Sequence, residues 1–276
     1  MKLALSLKNL NYEHKRIIKV LEERSADRFL IMEKKEYEKL YQFENYYWWH
    51  IGRSRIIYKL LKNYLPPASS LDILDVGCGT GINLGILAKF GRVVGLDSSK
   101  EALQFARKRG FTNLRQGRAE KLPFANKFFD LVTALDVIEH IADDLRALQE
   151  FHRVLTDDGL LLITAPAYQF IWSEHDEALH HFRRYTASQI HQKLNQAGFR
   201  VIKRSYIITF NFPLILGYRL LRGLFPKNAS APQTSYVVLP RFFNNFLIFS
   251  LKIEAQLLKY LNLPFGTSVV CLCQKD

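Results

Sequence analysis

The sequence has few cysteines and no long apolar run, and each shortage excludes a class of protein. Three cysteines in 276 residues are too few for the disulfide framework of small secreted domains. No uncharged apolar stretch reaches the length of about 18 residues expected of a membrane-spanning helix. The apolar segment after Met1 is also too short for a secretory signal. We therefore expect a cytoplasmic protein with reduced, buried cysteines.

Acidic residues are scarce in the last third of the chain. Residues 198–276 contain ten lysines or arginines, whereas Glu254 and Asp276 are their only acids. The whole chain has a formal net charge of +13. Such a charge attracts nucleic acid, an anionic membrane or an acidic substrate. A solvated basic face that aids solubility explains the same charge.

A glycine-rich turn after an apolar run is the most informative feature. Residues 71–76 predict a buried strand, and Gly77, Gly79 and Gly81 follow it in the pattern G-x-G-x-G. Glycine permits positive φ angles and lets a ligand approach the backbone closely. The next apolar run ends in Asp97, and a carboxylate at that place suits the paired hydroxyls of a ribose. Together the two features predict a nucleoside-containing cofactor.

Strands alternate with helices through most of the chain. The predicted strands are 71–76, 92–97, 113–117, 128–134, 159–164, 199–210 and 267–274. The predicted intervening helices run from about residue 81 and over 99–109, 140–155 and 187–197, the last with Thr186 as N-cap. This alternation requires parallel pairing with right-handed crossovers. The expected fold is a doubly wound α/β sheet with helices on both faces.

Helices are also expected outside the alternating pattern. Residues 1–67 predict an N-terminal helical extension that Pro66 and Pro67 close. The domain proper is expected over 68–276, with a hydrophobic helical insertion at about 210–262. The additional helices are predicted at 12–23, 33–65, 213–224 and 241–261.

Four motifs resemble those of the class I S-adenosylmethionine-dependent methyltransferases. They are residues 74–81, 117–124, 129–134 and 153–163, in the order that the family has. The resemblance implies a Rossmann-like, seven-stranded sheet, mostly parallel with an antiparallel last strand, and S-adenosylmethionine as cofactor. The cofactor-binding residues that it implies are Asp75, Gly77, Cys78, Gly79, Gly81, Asp97, Ser98, Ala119, Glu120 and Leu135.

Arg118 departs from the family pattern. Many members have an aspartate at this place, and its carboxylate accepts a hydrogen bond from the adenine amino group. We expect either that the backbone around Ala119 supplies the adenine contacts alone or that Arg118 stacks across the ring.

Polar side chains after the fourth strand are candidates for the chemistry. Asp136, Glu139 and His140 lie at the strand end and the first helical turn, where all three can face the cleft. His140 is the first choice for a base that removes the proton of a hydroxyl acceptor. The alternative is that Glu139 stabilises a helix N-terminus and that His140 packs against the cofactor.

A divalent metal is a second hypothesis for the same residues. The segment D-x-x-E-H is similar to the E-x-x-E-H cluster of the small-RNA 2′-O-methyltransferases and some quinone-precursor O-methyltransferases, which hold a metal. This resemblance implies Asp136, Glu139 and His140 as ligands with one downstream histidine, which His175, His180 or His181 can supply, His181 being the first choice. Aspartate has a shorter reach than glutamate, and many metal-free relatives have it at this place. We therefore favour chemistry without a metal.

A polar loop is expected over residues 166–185, after the fifth strand. Long loops at that edge of a sheet commonly bind ligands. The loop resembles a bacterial subgroup of the family that carries W-S-x-H-D and H-x-R-R-Y, as does Pro264–Ser268. The alternative to binding is internal pairing of one arginine with Asp176 or Glu177. The candidate substrate-binding residues are His175, His181, Arg183, Arg184 and Tyr185, of which the arginines can clamp a carboxylate or phosphate.

These inferences predict methyl transfer to a hydroxyl or other heteroatom of a small-molecule, glycan or lipid-linked acceptor. The apolar insertion, with Arg219, Arg222, Arg241 and Lys252, is a candidate for peripheral contact at the inner membrane face. An ordinary lid core is the alternative. RNA methylation and non-catalytic sensing of the cofactor are the other functions considered. RNA is disfavoured because no lysine- and arginine-rich run is present, and no obligate protein partner is indicated.

Overall fold

The computed structural model describes residues 34–65, 70–223 and 236–276, and within them seven strands form one sheet. The strands are β1 (Leu71–Val76), β2 (Gly91–Asp97), β3 (Leu114–Gln116), β4 (Phe129–Leu135), β5 (Leu155–Pro166), β6 (Phe199–Ile207) and β7 (Ser268–Lys275). Their order is β3-β2-β1-β4-β5-β7-β6. β7 runs antiparallel to β5 and β6, and the other neighbouring strands pair in parallel. This arrangement confirms the predicted Rossmann-like sheet.

Helices connect the strands and flank the sheet. They are α1 (Lys34–Phe43), α2 (Trp48–Tyr64), α3 (Leu84–Leu87), α4 (Lys100–Lys108), α5 (Asp144–Val154), α6 (Glu174–Ala178), α7 (Ala187–Gln196), α8 (Phe212–Gly223) and α9 (Arg241–Leu257). Thr186 begins α7 as predicted, in a capping box with Gln189. None of the helices in the described ranges is both long and apolar enough to cross a membrane.

Several predicted boundaries are wrong for local reasons. The helix expected from residue 81 is reduced to α3, because the glycine loop continues through Gly81 at positive φ. The helix expected over 140–155 is present as α5 but begins later, at Asp144, after a 3-10 turn over Ile138–His140. Asp143 separates the two, since its side chain accepts a hydrogen bond from the Arg146 N–H and starts a new helix. The stretch predicted as one strand over 159–164 begins earlier, at Leu155.

Two predictions lie outside the described residues. These are the helix at 12–23 and the closing turn at Pro66 and Pro67. The helical stretch predicted over 33–65 is present as α1 and α2, and residues 34–276 form one compact unit. The division of the chain at residue 67 stays a prediction.

Apolar cores cover both faces of the sheet. On one face, Phe151 of α5 and Leu194 of α7 pack in the same cluster as Val132 of β4. On the other face, Ile56 of α2 and Leu251 of α9 pack in the same cluster as Leu131. Alternate residues of β4 are therefore buried on opposite sides, as expected of a parallel sheet between helical layers. The carboxyl ends of the strands are the place where ligands bind in such folds.

Gly52 of α2 packs tightly against Leu251 of α9. A Cβ atom at Gly52 would lie 2.1 Å from Leu251 Cδ1 and 2.9 Å from Leu251 Cβ.

We expect Gly52→Ala to lower the free energy of unfolding by about 1–3 kcal/mol, because the helices must move apart. Chemical denaturation measures this loss. Gly217→Ala in α8 is the control, since a Cβ there meets no described atom within 4 Å; equal stability of both variants would contradict this packing.

Candidate functional site

The glycine loop joins β1 to α3 at the carboxyl edge of the sheet. Gly77 and Gly79 have φ angles of +66° and +56°, a region in which other residues are strained. A Cβ at Gly77 would lie 2.5 Å from Val137 Cγ2, whereas one at Gly79 meets no described atom within 4 Å. Gly77 thus allows close packing, and Gly79 leaves backbone open to a ligand.

Asp97 holds this loop against the end of β2. Its Oδ2 accepts a hydrogen bond from the Gly79 N–H at 2.8 Å, and its Oδ1 accepts one from the Ser99 N–H at 2.9 Å. Burial raises the pKa of the Asp97 carboxyl, although these backbone donors act in the opposite direction. Two carboxylate oxygens therefore fix the loop and the start of α4 together.

Asp75 is buried at the end of β1, just before the loop. Its Oδ1 accepts a hydrogen bond from Thr133 Oγ1 at 2.5 Å, while its Oδ2 has no partner among the described residues. Burial raises its pKa to about 7, although the Thr133 hydrogen bond lowers it. An unpaired buried carboxylate oxygen fits a ligand that brings a cationic donor, such as an amino group.

The N-terminal helices contribute residues that the sequence did not indicate. Glu44, which follows α1, accepts a hydrogen bond from Thr80 Oγ1 and pairs with Arg109 Nη2 at 2.8 Å. Arg109 also donates to the Thr80 carbonyl at 3.0 Å. These contacts tie α1 to the glycine loop. No motif pointed to Glu44, because its partners are 36 and 65 residues away.

The remaining predicted cofactor residues lie around the same edge. Cys78, Ala119 and Leu135 are buried, and Ser98 is exposed after β2. Arg118 pairs with Glu120 at 3.0 Å, a contact that neither of the two expectations for Arg118 included.

Asp136 follows β4 and is already engaged. It adopts a φ angle of +59°, its Oδ2 pairs with Arg53 Nη1 of α2, and its Oδ1 accepts a hydrogen bond from Thr164 Oγ1 at 2.9 Å. Arg53 is buried, and its guanidinium carbon lies 4.6 Å from the centre of the Trp49 ring. Asp136 therefore positions α2 over the site, which makes it unsuited to act as a free base.

Glu139, His140 and His181 come together beside Asp136. One ligand atom of each residue lies within 4.8 Å of those of the other two. Glu139 is fully buried, and neither of its carboxylate oxygens has a hydrogen-bond partner in the part of the chain that is described. Burial, and then the nearby Asp136 charge, raise its pKa well above the usual 4.5. Such a group requires a proton or a cation beside it.

Burial keeps the imidazole of His140 neutral. It lowers the His140 pKa to about 3, with further lowering by His181 and His180, while the Leu179 backbone and Asp176 act in the opposite direction. The rings of His140 and His181 meet edge to face, with centroids 4.6 Å apart. A neutral imidazole beside an unpaired carboxyl can accept a proton, because the carboxylate offsets the new charge.

The 166–185 loop is held together by buried Asp176. This carboxylate accepts hydrogen bonds from Arg184 Nη1 at 2.5 Å and from the Ser173 N–H at 2.9 Å, and it lies 2.9 Å from His181 Nδ1. Burial alone would raise the Asp176 pKa, but His181 and Arg184 hold it below its usual range. Asp176 thus fixes the orientation of the ring that faces His140.

The arginines predicted to clamp an anion are paired within the protein. Arg184 is buried and bonds Asp176, as the alternative of internal pairing expected. Arg183 pairs with Asp144 at 3.1 Å, and the buried Tyr185 hydroxyl donates to the same carboxylate at 2.7 Å. Neither guanidinium is therefore available as a free clamp for a carboxylate or phosphate.

Tyr236 links the insertion to the site and was missed by sequence reasoning. Its ring stacks on Phe43 with centroids 4.4 Å apart and lies 6.1 Å from His50 and 6.4 Å from His175. Burial lowers the pKa of His175 to about 4 and that of His50 to about 3. Aromatic and neutral imidazole groups thus surround one side of the site.

Comparison with known proteins identifies the domain that carries this site. Residues 74–163 match a protein family described as "Methyltransferase domain". They are a class I, S-adenosylmethionine-dependent methyltransferase domain. The match begins within β1, includes the glycine loop, Asp97 and β4, and ends within β5.

Known relatives of the methyltransferase domain agree with this assignment. The chain is 30% identical, over 57% of its length, to a protein of Mycolicibacterium smegmatis named a probable S-adenosylmethionine-dependent methyltransferase, and spans 61% of that relative. It is 34% identical to a ubiquinone biosynthesis O-methyltransferase of Azorhizobium caulinodans, over 36% of this chain and 42% of the relative.

A solved structure shares the fold. A Haemonchus contortus phosphoethanolamine N-methyltransferase bound to S-adenosylhomocysteine matches 80% of this chain and 52% of its own, with a TM-score of 0.52 and 19% identity. This likeness shows the fold of the methyltransferase domain and nothing finer.

Asp97→Ala tests the cofactor site. Loss of the carboxylate frees the Gly79 N–H and removes the acceptor for a ribose, so we expect affinity for S-adenosylmethionine to fall about tenfold or more. Isothermal titration calorimetry measures the change. Asp157→Ala is the control, since Asp157 is exposed and pairs with Lys127 at 2.8 Å. Unchanged affinity in Asp97→Ala would contradict the role of Asp97.

Proposed function

We propose that the chain transfers the methyl group of S-adenosylmethionine to a hydroxyl, or another heteroatom, of a small-molecule, glycan or lipid-linked acceptor. The observation that carries this proposal is the glycine loop tied to Asp97 within the matched methyltransferase domain. Gly79 leaves backbone exposed for the cofactor, Asp97 supplies an acceptor for ribose hydroxyls, and Asp75 offers an unpaired oxygen to its amino group.

Positioning supplies most of the acceleration in this reaction. The methyl carbon passes from the sulfonium to the acceptor oxygen in one displacement, which needs donor and acceptor in line. The enclosing groups come from three parts of the chain, namely α2, the 166–185 loop and Tyr236. Their contacts with one another, through Tyr236 with His50 and His175, favour an acceptor held between them.

His140 is the proposed base. As the bond to the methyl group forms, the acceptor hydroxyl loses its proton to the neutral imidazole. A pKa of about 3 makes His140 a weak base in the free protein. The Glu139 carboxyl lies within the same cluster, and an imidazolium beside it favours its carboxylate form, so the two charges stabilise each other. Peripheral contact at the inner membrane face belongs to the same proposal, since lipid-linked molecules are among its acceptor classes.

A methyl-transfer assay with His140→Ala tests this function. Cell extracts incubated with the protein and S-adenosylmethionine should yield a product one methyl group heavier by mass spectrometry. We expect His140→Ala to lose most turnover, about a hundredfold, while it still binds the cofactor. His191→Ala in α7 is the control and should keep normal turnover. A near-normal rate in His140→Ala would show that another group accepts the proton.

The same assay distinguishes the other functions. Cofactor binding without turnover on any small-molecule, glycan, lipid or RNA extract would favour a non-catalytic sensor. Turnover confined to RNA would favour an RNA methyltransferase that uses the basic C-terminal third.

A divalent metal fits three of the four residues named for it. Glu139, His140 and His181 can each direct one ligand atom to a common point, and Asp176 would orient His181 as an outer partner. A bound metal would acidify an acceptor hydroxyl. Asp136, the fourth residue, is held by Arg53 and Thr164 instead.

Chelation tests this alternative. Because Asp136 is engaged elsewhere, we expect turnover to survive dialysis against a chelator and to be unchanged by added Mg²⁺ or Mn²⁺. Loss of turnover that the added ion restores would assign the metal role to the Glu139, His140 and His181 cluster, provided that cofactor binding is unaffected by chelation.

A further inference from the structure

The exposed side of α9 carries an apolar stripe. Phe242, Phe246, Phe249 and Ile253 follow the spacing i, i+4, i+7 and i+11, which places them in one stripe. They are 76%, 60%, 57% and 42% exposed. The opposite side of the helix is buried in the core through Leu247, Leu251, Ala255 and Leu258. The described part of the chain therefore buries one apolar side of α9 and leaves the other exposed.

Basic residues accompany this stripe without exposed acids. Arg241 and Lys252 are exposed on α9, and Lys259 is exposed just beyond it. Glu254 is the one acid between residues 236 and 265. It is fully buried, where it accepts hydrogen bonds from the backbone N–H groups of residues 208–210. The exposed surface of this segment thus combines aromatic side chains with positive charge.

We propose that the α9 face, formed by Phe242, Phe246, Phe249 and Ile253 with Arg241 and Lys252, rests on an anionic phospholipid surface. The phenylalanines would enter the boundary between headgroups and acyl chains, and the cations would meet the phosphates. The helix has 17 residues and one side fixed to the core, so it lies along the surface. A second copy of the chain fits less well, because a symmetric contact would bring like charges together.

A groove next to the α9 face leads towards the acceptor side. It has a volume of about 530 Å³, and Tyr47 and Ile51 line it opposite Val238 and Ile248. The Tyr47 ring lies 5.4 Å from that of Tyr236, which in turn contacts His175. Tyr47 therefore lies between this groove, which Asn45 and Asn244 also line, and the aromatic side of the proposed site.

This inference specifies the membrane contact named in the proposed function, and it rests on that function only for the choice of acceptor. Binding to vesicles requires neither cofactor nor turnover. Failure to bind vesicles would leave methyl transfer untouched, and failure of methyl transfer would leave the surface contact untouched.

Sedimentation of the full chain with lipid vesicles tests the proposal. We expect binding to vesicles of phosphatidylcholine mixed with phosphatidylglycerol, and much weaker binding to phosphatidylcholine alone.

The triple variant Phe242→Ser, Phe246→Ser and Phe249→Ser should lower the partitioning of the protein onto the anionic vesicles about tenfold or more. The double variant Arg241→Gln and Lys252→Gln should weaken binding to the anionic vesicles and leave the weak binding to phosphatidylcholine vesicles unchanged. Phe128→Ser is the control, since Phe128 is a 53% exposed phenylalanine before β4.

Three results would overturn the proposal. The first is that the unaltered chain does not bind anionic vesicles, and the second is that the triple variant binds them equally well. The third is that the unaltered chain is a dimer in sedimentation equilibrium, the triple variant is a monomer, and neither binds vesicles. Circular dichroism and S-adenosylhomocysteine binding verify that the variants are folded. We expect both to be unchanged, because the substituted side chains are exposed.

Discussion

The carboxylate of Asp97 is the constraint on which the candidate site depends. One of its oxygens holds the Gly79 N–H of the glycine loop, and the other holds the Ser99 N–H at the start of α4. Charge-assisted hydrogen bonds of this kind are about twice as strong as neutral ones. The loop in turn carries Thr80, to which Glu44 and Arg109 attach α1. The N-terminal helices are therefore oriented through the same loop that the cofactor would contact.

Charged side chains that are paired within the protein stabilise the structure, whereas a buried charged side chain without a partner is a candidate for the chemistry. Asp136 pairs with Arg53 and joins the end of β4 to α2, whereas Asp176 pairs with Arg184 and His181 within the 166–185 loop. Removal of one partner from such a pair leaves a buried charge and costs about 3–5 kcal/mol. Glu139 differs, since both of its oxygens are buried and lack partners within the described ranges. Unpaired buried ionisable groups concentrate at functional sites, which distinguishes Glu139 from its neighbours.

The sheet could be predicted from the sequence because its signals are local. The apolar runs, the glycine spacing of residues 77–81 and the carboxylate at residue 97 each lie within one element or turn. Asp143 shows the limit of such signals, since its side-chain cap starts α5 later than the start at residue 140 that the sequence predicted. The motif set also directed attention to Glu139, His140 and His181, which the fold brings together although 41 residues separate the two histidines in the sequence.

Long-range pairing could not be predicted in the same way. The sequence left open whether Arg183 and Arg184 bind a ligand or pair within the protein, and the positions of buried Asp144 and Asp176 show that both are engaged. Glu44 and Arg53 belong to no motif, and they reach the site because α1 and α2 pack over the glycine loop and the end of β4. Tyr236 contacts the site from an insertion whose composition indicated only helices. The roles of Glu44, Arg53 and Tyr236 each depend on a partner in a distant part of the chain.

Calorimetric titration of the full chain with S-adenosylhomocysteine, compared with NAD, tests the central claim most directly. A loop with the spacing of Gly77, Gly79 and Gly81, tied to Asp97, should bind the sulfur-containing nucleoside at one site per chain and give no heat with the dinucleotide. Heat with NAD and none with S-adenosylhomocysteine would contradict the proposed cofactor site.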